Sequence, residues 1–406
     1  MSLSSPRTVA VIGGGPAGLM AAEVLSASGV TVTLYDRMPS LGRKLLMAGR
    51  GGLNLTHSEP FDRFVGRYAE ASERLRPILE AFPPSALVAW AEDLGQPTFV
   101  GSSGRVFPKA MKASPLLRAW LARLETQGVV LKTRHTWKGW NEAGGLMFAG
   151  PDGEHAAHPD VTILALGGGS WSRLGSDGAW ASILQGTGVE VAPFRPSNGG
   201  FTVAWSHLFR ERFAGEPLKA ISLSFGGRQV RGEMMVAAYG VEGGAIYALS
   251  AELRDAVERG GDAVLQIDLK PDLSVGQIAQ KLAKARKGES VTNHLRKALH
   301  LPPVAVGLLR EAAGVNLSAE PEALAVLVKA APITLTGCAP MDRAISTAGG
   351  VALGGVDGNL MLTARPGVFL AGEMLDWEAP TGGYLLQAAF ATGRAAALGA
   401  LAHLKD

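Results

Sequence analysis

Residues 8–36 read TVAVIGGGPAGLMAAEVLSASGVTVTLYD, and this stretch decides the fold. A short apolar run at residues 9–12 is followed at once by glycines in G-x-G-x-x-G spacing. A helix-forming segment comes next, and then a second, alternating apolar run that ends on Asp36. In dinucleotide-binding units an acid at that position accepts hydrogen bonds from an adenosine ribose. The order of strand, glycine turn, helix, strand and acid predicts such a βαβ unit.

Each residue of the turn has its own expected task. Gly13 permits the tight turn, Gly15 lets the backbone approach a pyrophosphate, and Gly18 lets the helix pack closely on the strand. Pro16 suits the first helical turn, because its missing N–H costs nothing there. With Ala17, these residues start a helix whose free amides and positive dipole end face the phosphates. We therefore assign all five to cofactor binding.

The composition is that of a globular protein with extensive cores. The chain has 406 residues, of which 47% are hydrophobic and 18% charged, and its mean hydropathy is +0.15. That length allows two or three domains. The single cysteine, Cys338, excludes an intrachain disulfide framework, a CxxC redox pair and a cysteine metal cluster. We assign no metal site and expect any redox chemistry to come from a bound cofactor.

The chain shows no targeting or membrane signal. The first predicted strand begins by Thr8 without a charged and apolar leader before it, and no run of 18 apolar residues follows. We expect a cytoplasmic protein without a membrane segment. The sequence does not indicate an oligomeric state.

Positive charge is concentrated in one segment. The net charge is only +3, yet residues 270–310 contain eight Lys or Arg and two Asp or Glu. Lys281, Lys284 and Lys287 recur at helical spacing, so the segment is either a solvated helical face or a patch for a polyanion such as RNA.

A second glycine-rich stretch, residues 42–57, reads GRKLLMAGRGGLNLTH. Its glycines and cations would let backbone amides and guanidinium groups reach a phosphate or a planar ring. We assign Arg43, Lys44 and Asn54 to the cofactor, together with Arg37 next to the acid of the βαβ unit. The alternative is an ordinary surface loop, which is also the safer interpretation of His57.

Two further segments are expected to close the same pocket. The buried strand at 161–166 runs into Gly167, and open α/β sheets place ligands at such carboxyl ends. Near the C-terminus, the strand at 366–371 ends on Gly372 and Glu373, where an acid can accept from ribityl hydroxyls. The cofactor residues that follow form the start of a helix whose amides suit the pyrimidine edge of a flavin: Thr381, Gly382, Gly383 and Tyr384. A plain NAD domain has no need of this distant element, so FAD is the preferred ligand.

The motifs predict an α/β chain in four segments. Residues 1–190 and 336–406 form a Rossmann FAD-binding domain, residues 191–271 a β-rich insert, and residues 272–335 a small helical subdomain. In the first segment, residues 129–133 and 146–148 are predicted as strands of a small antiparallel layer. No second complete G-x-G-x-x-G unit is present, so a nicotinamide cofactor would dock without its own Rossmann domain.

The chain resembles the bacterial flavoproteins related to the bile-acid-inducible reductases. This family includes proteins described as NAD(P)/FAD-dependent oxidoreductases, aminoacetone oxidases and ribosomal RNA dihydrouridine synthases. The motifs that carry the resemblance lie at residues 13–18, 42–46, 104–108, 346–351, 371–373 and 381–384. It implies a glutathione-reductase-like FAD domain built from both termini, with a β-rich domain and a helical piece inserted between them.

Two departures affect the substrate side. Many relatives carry a cysteine after the glycine run that follows Lys44, but this chain has Leu53 before Asn54, which excludes thiol chemistry there. In the insert, residues 237–244 read AAYGVEGG where relatives have Thr-His and Ser-Gly-Pro. Tyr239 and Glu242 are our candidate proton donors or substrate anchors. Arg105 is the third catalytic candidate because it could hold an anionic or carbonyl group, as could Lys109. Each also has a plain structural interpretation.

We expect an FAD-dependent oxidoreductase that reduces an activated C=C bond of a small organic substrate, with NADH or NADPH as a transient donor. One alternative is an amine oxidase that passes electrons to oxygen. Another is an RNA-directed flavoprotein, similar to a dihydrouridine synthase, that docks RNA through the basic helical segment.

Overall fold

The computed structural model describes residues 7–260, 263–284, 288–314 and 317–405. The strands in these ranges are β1 (Thr8–Ile12), β2 (Thr31–Asp36), β3 (Thr56–His57), β4 (Thr98–Val100), β5 (Arg105–Pro108), β6 (Val130–Thr133), β7 (Thr136–Trp140), β8 (Leu146–Gly150), β9 (Gly153–Ala157), β10 (Val161–Leu164), β11 (Val191–Ser197), β12 (Phe201–Thr202), β13 (Pro217–Phe225), β14 (Arg228–Ala237), β15 (Gly240–Glu242), β16 (Ala263–Asp268), β17 (Ala331–Leu335), β18 (Gly337–Cys338), β19 (Ser346–Val351) and β20 (Val368–Leu370).

The α-helices in the same ranges are α1 (Pro16–Ala27), α2 (Arg43–Ala48), α3 (Phe61–Val65), α4 (Ser72–Ala81), α5 (Pro84–Asp93), α6 (Ala113–Thr126), α7 (Trp180–Gln185), α8 (His207–Phe213), α9 (Gly244–Tyr247), α10 (Ser250–Glu258), α11 (Val275–Leu282), α12 (Val291–Leu299), α13 (Pro303–Ala313), α14 (Pro321–Lys329) and α15 (Tyr384–His403). Short 3₁₀ turns connect several of them.

The chain divides into two compact units. The first runs to Arg195 and resumes at Ser346, and the second is Pro196–Ile345. The predicted boundaries at 190/191 and 335/336 compare with observed ones at 195/196 and 345/346. The predicted division between residues 271 and 272 does not separate compact units, because β16 and β17 pair across the helices α11–α14. Strands and helices there share one hydrophobic cluster.

A five-stranded parallel sheet organises the first unit, in the order β20-β10-β1-β2-β6. The apolar run at residues 9–12 is at most 2% exposed, as a strand covered on both faces requires. The predicted Rossmann fold is confirmed. The prediction for residues 129–133 is wrong, because β6 extends this sheet in parallel with β2. The small antiparallel layer is formed instead by β7, β8 and β9.

Helix α15 is the core helix of the first unit. Its length and composition would suffice to cross a membrane, yet 56% of its most apolar 18-residue stretch is buried inside the protein. A Cβ on Gly393 would lie 2.2 Å from the carbonyl oxygen of Ala17, so α15 crosses α1 at a distance that only glycine permits. The last helix of the chain thus packs on the first.

The second unit is built on a seven-stranded sheet in the order β17-β16-β13-β14-β15-β12-β18, and neighbouring strands in it run antiparallel. Helix α13 begins at Pro303, since proline suits the first helical turn. Arg286 and Lys287 of the basic segment lie outside the described residues.

Candidate cofactor and active site

The glycine turn between β1 and α1 combines tight packing with open space. Gly13 has a φ of +112°, and a Cβ there would lie 2.1 Å from the carbonyl oxygen of Ala165. A Cβ on Gly18 would lie 1.9 Å from the carbonyl oxygen of Gly13. A Cβ on Gly15 would meet nothing within 4 Å. Gly13 and Gly18 are therefore required by the packing of the turn, whereas the open space beside Gly15 suits a ligand.

The N-terminus of α1 is suited to an anion. Its N-cap is Gly15, no side chain caps the first turn, and that turn contains no acidic residue. Pro16 occupies the first helical turn, followed by the buried Ala17. The uncapped amide end and the positive end of the helix dipole thus lie next to Gly15, which favours an anion there.

Asp36 braces the glycine turn. Its two carboxylate oxygens accept hydrogen bonds of 2.7 Å each, one from the Gly14 N–H and one from the Met38 N–H. Burial raises the pKa of Asp36, while these backbone bonds and the neighbouring guanidinium groups act in the opposite direction. The next residue, Arg37, forms an ion pair with Asp177. The acid is thus held in place at the end of β2, where a ribose-binding acid belongs.

The loop after β2 supplies two buried polar atoms that lack a protein partner. Arg43 Nε and Asn54 Oδ1 are both buried and have no hydrogen-bond partner among the described residues. An unsatisfied buried donor or acceptor costs roughly 1–3 kcal/mol, so such atoms call for a ligand or water. One donor and one acceptor near the nucleotide turn fit a bound nucleotide cofactor.

Lys44 and Glu373 join two predicted segments. Lys44 Nζ donates to Glu373 Oε2 at 2.7 Å and to Ser170 Oγ at 2.9 Å. Glu373 also accepts from the Thr347 N–H at 2.8 Å and from the Gly168 N–H at 3.3 Å. The sequence predicts a cofactor role for both charged residues, and the structure brings them into direct contact.

The glycines of this region hold unusual backbone conformations. Gly167, at the carboxyl end of β10, has a φ of +73°, and its carbonyl accepts from the Trp180 indole at 2.8 Å. Gly372 has a φ of +75° and follows β20, which pairs with β10. The two strand ends therefore lie side by side at the edge of the sheet where ligands bind.

The turn before α15 contacts the strand β3. Thr381 precedes Gly382 and Gly383, which have φ values of +136° and +98°. A Cβ on Gly383 would lie 2.5 Å from the Cα of Thr56. The hydroxyl of Tyr384 donates to Glu59 Oε1 at 2.6 Å. The phenol group thus has a protein partner, so its hydroxyl is already used within the protein.

The catalytic candidates fall into two groups. Tyr239 and Glu242 lie in the second unit, and the Tyr239 hydroxyl donates to Glu242 Oε2 at 2.5 Å. Burial, followed by the bond to Glu242, raises the pKa of Tyr239. The Arg343 guanidinium lies 5.3 Å from the Tyr239 ring centroid. Arg105 belongs to the first unit, where it is exposed and pairs in register with His57.

Sequence reasoning missed two acids of the first unit. Asp376 accepts from the Gly349 N–H at 3.1 Å, and burial raises its pKa. Its position three residues after Glu373 is a signal that could have found it. Glu59 had no such signal, because its partner Tyr384 lies 325 residues away in the chain.

The model of the family described as "HI0933-like protein Rossmann domain" matches residues 7–399. This chain belongs to that family. A 3-dehydro-bile acid delta(4,6)-reductase of Clostridium scindens is 28% identical over 401 residues, which cover 95% of this chain and 97% of the relative. A ribosomal RNA dihydrouridine synthase of Haemophilus influenzae is 24% identical over 416 residues, covering 96% and 97%.

Two solved structures, of a reductase and a dehydrogenase, have a similar fold. A flavocytochrome c3 fumarate reductase matches with a TM-score of 0.54 and 16% identity over 99% of this chain and 80% of its own. A 3-ketosteroid delta1-dehydrogenase from Sterolibacterium denitrificans matches with a TM-score of 0.54 and 13% identity, covering 98% and 100%. Identities this low bear on the fold alone.

This member of the HI0933-like family is an FAD-dependent oxidoreductase. The open space beside Gly15 and the unpaired atoms of Arg43 and Asn54 fit the cofactor that the family binds. The expected family and FAD are confirmed, and NADH or NADPH as donor stays a prediction. The individual cofactor and catalytic residues stay predictions that the experiments below test.

Proposed function

We propose that this flavoprotein reduces an activated C=C bond in a small organic substrate, with NADH or NADPH as the electron donor. The observation that carries the proposal is the near full-length similarity to a protein named as a delta(4,6)-reductase. When bound, FAD supplies reversible hydride transfer. The protein supplies binding and orientation.

The first unit is proposed to hold and orient the cofactor. The amides beside Gly15 would hold the pyrophosphate, and Arg43 and Asn54 would bind the cofactor through their unpaired atoms. Glu373 is fixed by Lys44 and by two backbone N–H groups, so it presents a carboxylate of defined orientation. A fixed geometry lowers the entropic cost of bringing the reacting atoms together.

Tyr239 is better suited to anchoring a substrate than to acid catalysis. An efficient acid has a pKa near the working pH, and the pKa of Tyr239 is raised far from it by burial and by Glu242. Loss of its proton would also create a phenolate beside a carboxylate. We therefore assign Tyr239 and Glu242 to hydrogen bonding with the substrate.

Anaerobic mixing of the flavin-loaded protein with NADH and with NADPH tests the donor. We expect one nicotinamide to bleach the flavin absorbance within the time of a steady-state turnover. A conjugated ketone, such as cyclohexenone or a delta-4 steroid, should then restore the absorbance without oxygen. Absence of bleaching with both nicotinamides would contradict the reductase proposal.

The same anaerobic experiment distinguishes an amine oxidase from a nicotinamide-dependent reductase. An oxidase would be bleached anaerobically by an amine rather than by a nicotinamide, and oxygen would restore its absorbance with formation of one peroxide per flavin. If the flavin is reduced by a nicotinamide, does not react with ketones, and forms one peroxide per flavin with oxygen, the protein would instead be a simple NAD(P)H oxidase.

Substitution of Tyr239 distinguishes an anchor from a proton donor. For an anchor, Tyr239→Phe should raise KM about tenfold, which corresponds to one lost hydrogen bond, and leave kcat nearly unchanged. For a proton donor, kcat would fall by about 10² or more. Tyr247→Phe is a matched control, since that phenol is also partly buried in the second unit.

The second candidate function is RNA-directed reduction of uridine, which the similarity to named ribosomal RNA dihydrouridine synthases favours. In the basic segment, Lys281, Lys284 and Arg296 are exposed. Lys297 pairs with Glu289, and Arg310 donates to Thr292 Oγ1. The exposed cations are the ones available to phosphates.

Salt-dependent binding to structured RNA tests this candidate. Each lost phosphate contact should reduce the slope of log K against log salt by about 0.7–0.9. We expect this reduction on neutralising Lys281 and Lys284, with or without Arg286 and Lys287. Lys138→Gln, an exposed lysine of the first unit, should leave the slope unchanged. An identical slope in all variants would exclude RNA docking through this segment.

A further inference from the structure

A chain of hydrogen bonds joins Arg67, Glu59 and Tyr384 in the first unit. Arg67 binds the Glu59 carboxylate through two nitrogens, with Nε 3.0 Å from Oε1 and Nη2 2.7 Å from Oε2. The Tyr384 hydroxyl donates to Oε1 of the same carboxylate at 2.6 Å. The Glu59 side chain is only 7% exposed, so both oxygens are used within the protein. Bidentate pairs of this kind are strong and directional.

Tyr384 is also held from its other sides. Its carbonyl accepts from the buried Tyr68 hydroxyl at 2.7 Å. Its ring lies 4.9 Å from the Phe64 ring and 5.5 Å from the His57 ring, centroid to centroid. His57 Nδ1 in turn accepts from the Glu59 N–H at 3.1 Å. The first residue of α15 is therefore fixed through hydroxyl, carbonyl and ring at once.

Glu59 and Tyr384 each keep one protonation state at neutral pH. Burial acts to raise the pKa of Glu59, but the bonds from Arg67 and Tyr384 outweigh it and hold this pKa below its usual range. Burial and Glu59 raise the pKa of Tyr384. The acid thus stays charged and the phenol stays protonated near neutral pH, so the hydrogen bond between them is kept.

We propose that Glu59 is a positioning residue for the flavin: it fixes Tyr384, and through it the turn formed by Thr381, Gly382 and Gly383, in the conformation that meets the cofactor. The turn has two positive-φ glycines, whose backbone is permissive, so its conformation depends on the contacts that hold it, at Thr56 and at Tyr384. Its amides can face the cofactor only if Tyr384 stays in place. The proposal rests on the flavin and is independent of the organic substrate.

Titration of the apoprotein with FAD tests the proposal, with the visible spectrum and the midpoint potential of the bound flavin as further readouts. Glu59→Gln removes the charge that holds Arg67, and Tyr384→Phe removes the hydroxyl but keeps the ring. Each should weaken FAD binding about tenfold, as expected for loss of a hydrogen bond to a charged group. Each should also shift the spectrum or the potential.

The double variant separates positioning from general stability. Because both changes break one linked contact, Glu59→Gln with Tyr384→Phe should weaken FAD binding no more than either alone. The control is Asp62→Asn, which breaks the exposed Asp62–Arg76 pair a few residues along the chain and should leave FAD binding unchanged. If Glu59→Gln does not fold, Tyr384→Phe and Arg67→Met carry the same test. Unchanged FAD affinity, spectrum and potential in the folded variants would overturn the proposal, as would fully additive losses.

Discussion

The two segments that we predict to build the flavin site differ in how much of their own hydrogen-bonding capacity is already used. In the N-terminal turn, Gly15 borders open space and the first turn of α1 has no side-chain cap. In the C-terminal segment, Glu373 accepts hydrogen bonds from three donors and the Tyr384 hydroxyl is bound to Glu59. The first segment offers free backbone, whereas the second offers side chains that the protein has already oriented. Substitutions should therefore act on binding in the first and on orientation in the second.

The largest effect that we expect is the loss of FAD affinity when Gly15 of the N-terminal turn is substituted. Gly15→Val should fold normally, because its φ of −84° and ψ of −178° suit any residue and its surroundings are open. The added side chain fills the space for the pyrophosphate, so FAD affinity should fall by at least about 1.4 kcal/mol, or tenfold. The measurement is flavin content per folded protein after dialysis, with folding checked by circular dichroism.

Two further variants sharpen this contrast. Gly18→Val should fail to fold, since its Cβ would overlap the Gly13 carbonyl oxygen. Gly276→Val is the matched control, because Gly276 is also exposed to open space but lies in the second unit. Full flavin content in the Gly15→Val protein would contradict the prediction that this turn binds the pyrophosphate.

A smaller effect is expected for the C-terminal acid. Glu373→Ala leaves the Thr347 N–H and Lys44 Nζ without their carboxylate partner, at roughly 1–3 kcal/mol of unfolding free energy. It should weaken FAD retention as well. Lys44→Met should cost less, because Glu373 keeps both backbone donors. Denaturant titration and FAD titration of the two variants check this order, and the reverse order would contradict a site organised around Glu373.

The smallest effect concerns the opposite end of the sheet, away from the glycine turn. Asp160 Oδ2 accepts from the Thr8 N–H at 2.7 Å and from the Thr8 hydroxyl at 2.9 Å, and these bonds lower the pKa of Asp160. A lowered folded-state pKa gives stability that is present above the unfolded value and lost as the pH falls through the folded one. Asp160→Asn should therefore destabilise by up to about 1 kcal/mol at pH 7.

This difference should shrink as the pH falls below the ordinary aspartate pKa of about 3.9, and close once Asp160 is protonated in the folded protein as well. Denaturant unfolding of both proteins at pH 7 and pH 3 measures it. Flavin content should be the same in both at pH 7. A destabilisation that persists unchanged at low pH would assign the effect to shape rather than charge.

The sequence predicts the parts of the site whose geometry is local. The turn at Gly13–Gly18 depends on spacing within six residues, so its pattern alone indicates the fold. The edge strand β6 could not be assigned in the same way, because four residues do not encode whether their neighbour is parallel or antiparallel. The contact of Glu59 with Tyr384 depends on the packing of α15, which no short motif describes.

The order of the parallel sheet has a consequence for how the protein is made. Strand β20 pairs with β10 at one edge, and α15 crosses α1, so the first unit needs the last forty residues of the chain to finish its core. The second unit is continuous in sequence and leaves the ribosome earlier. The second unit can therefore fold before the first unit, whose two segments flank it in the sequence. Flavin capture is then a late event in biogenesis, and truncated translation products should emerge without cofactor.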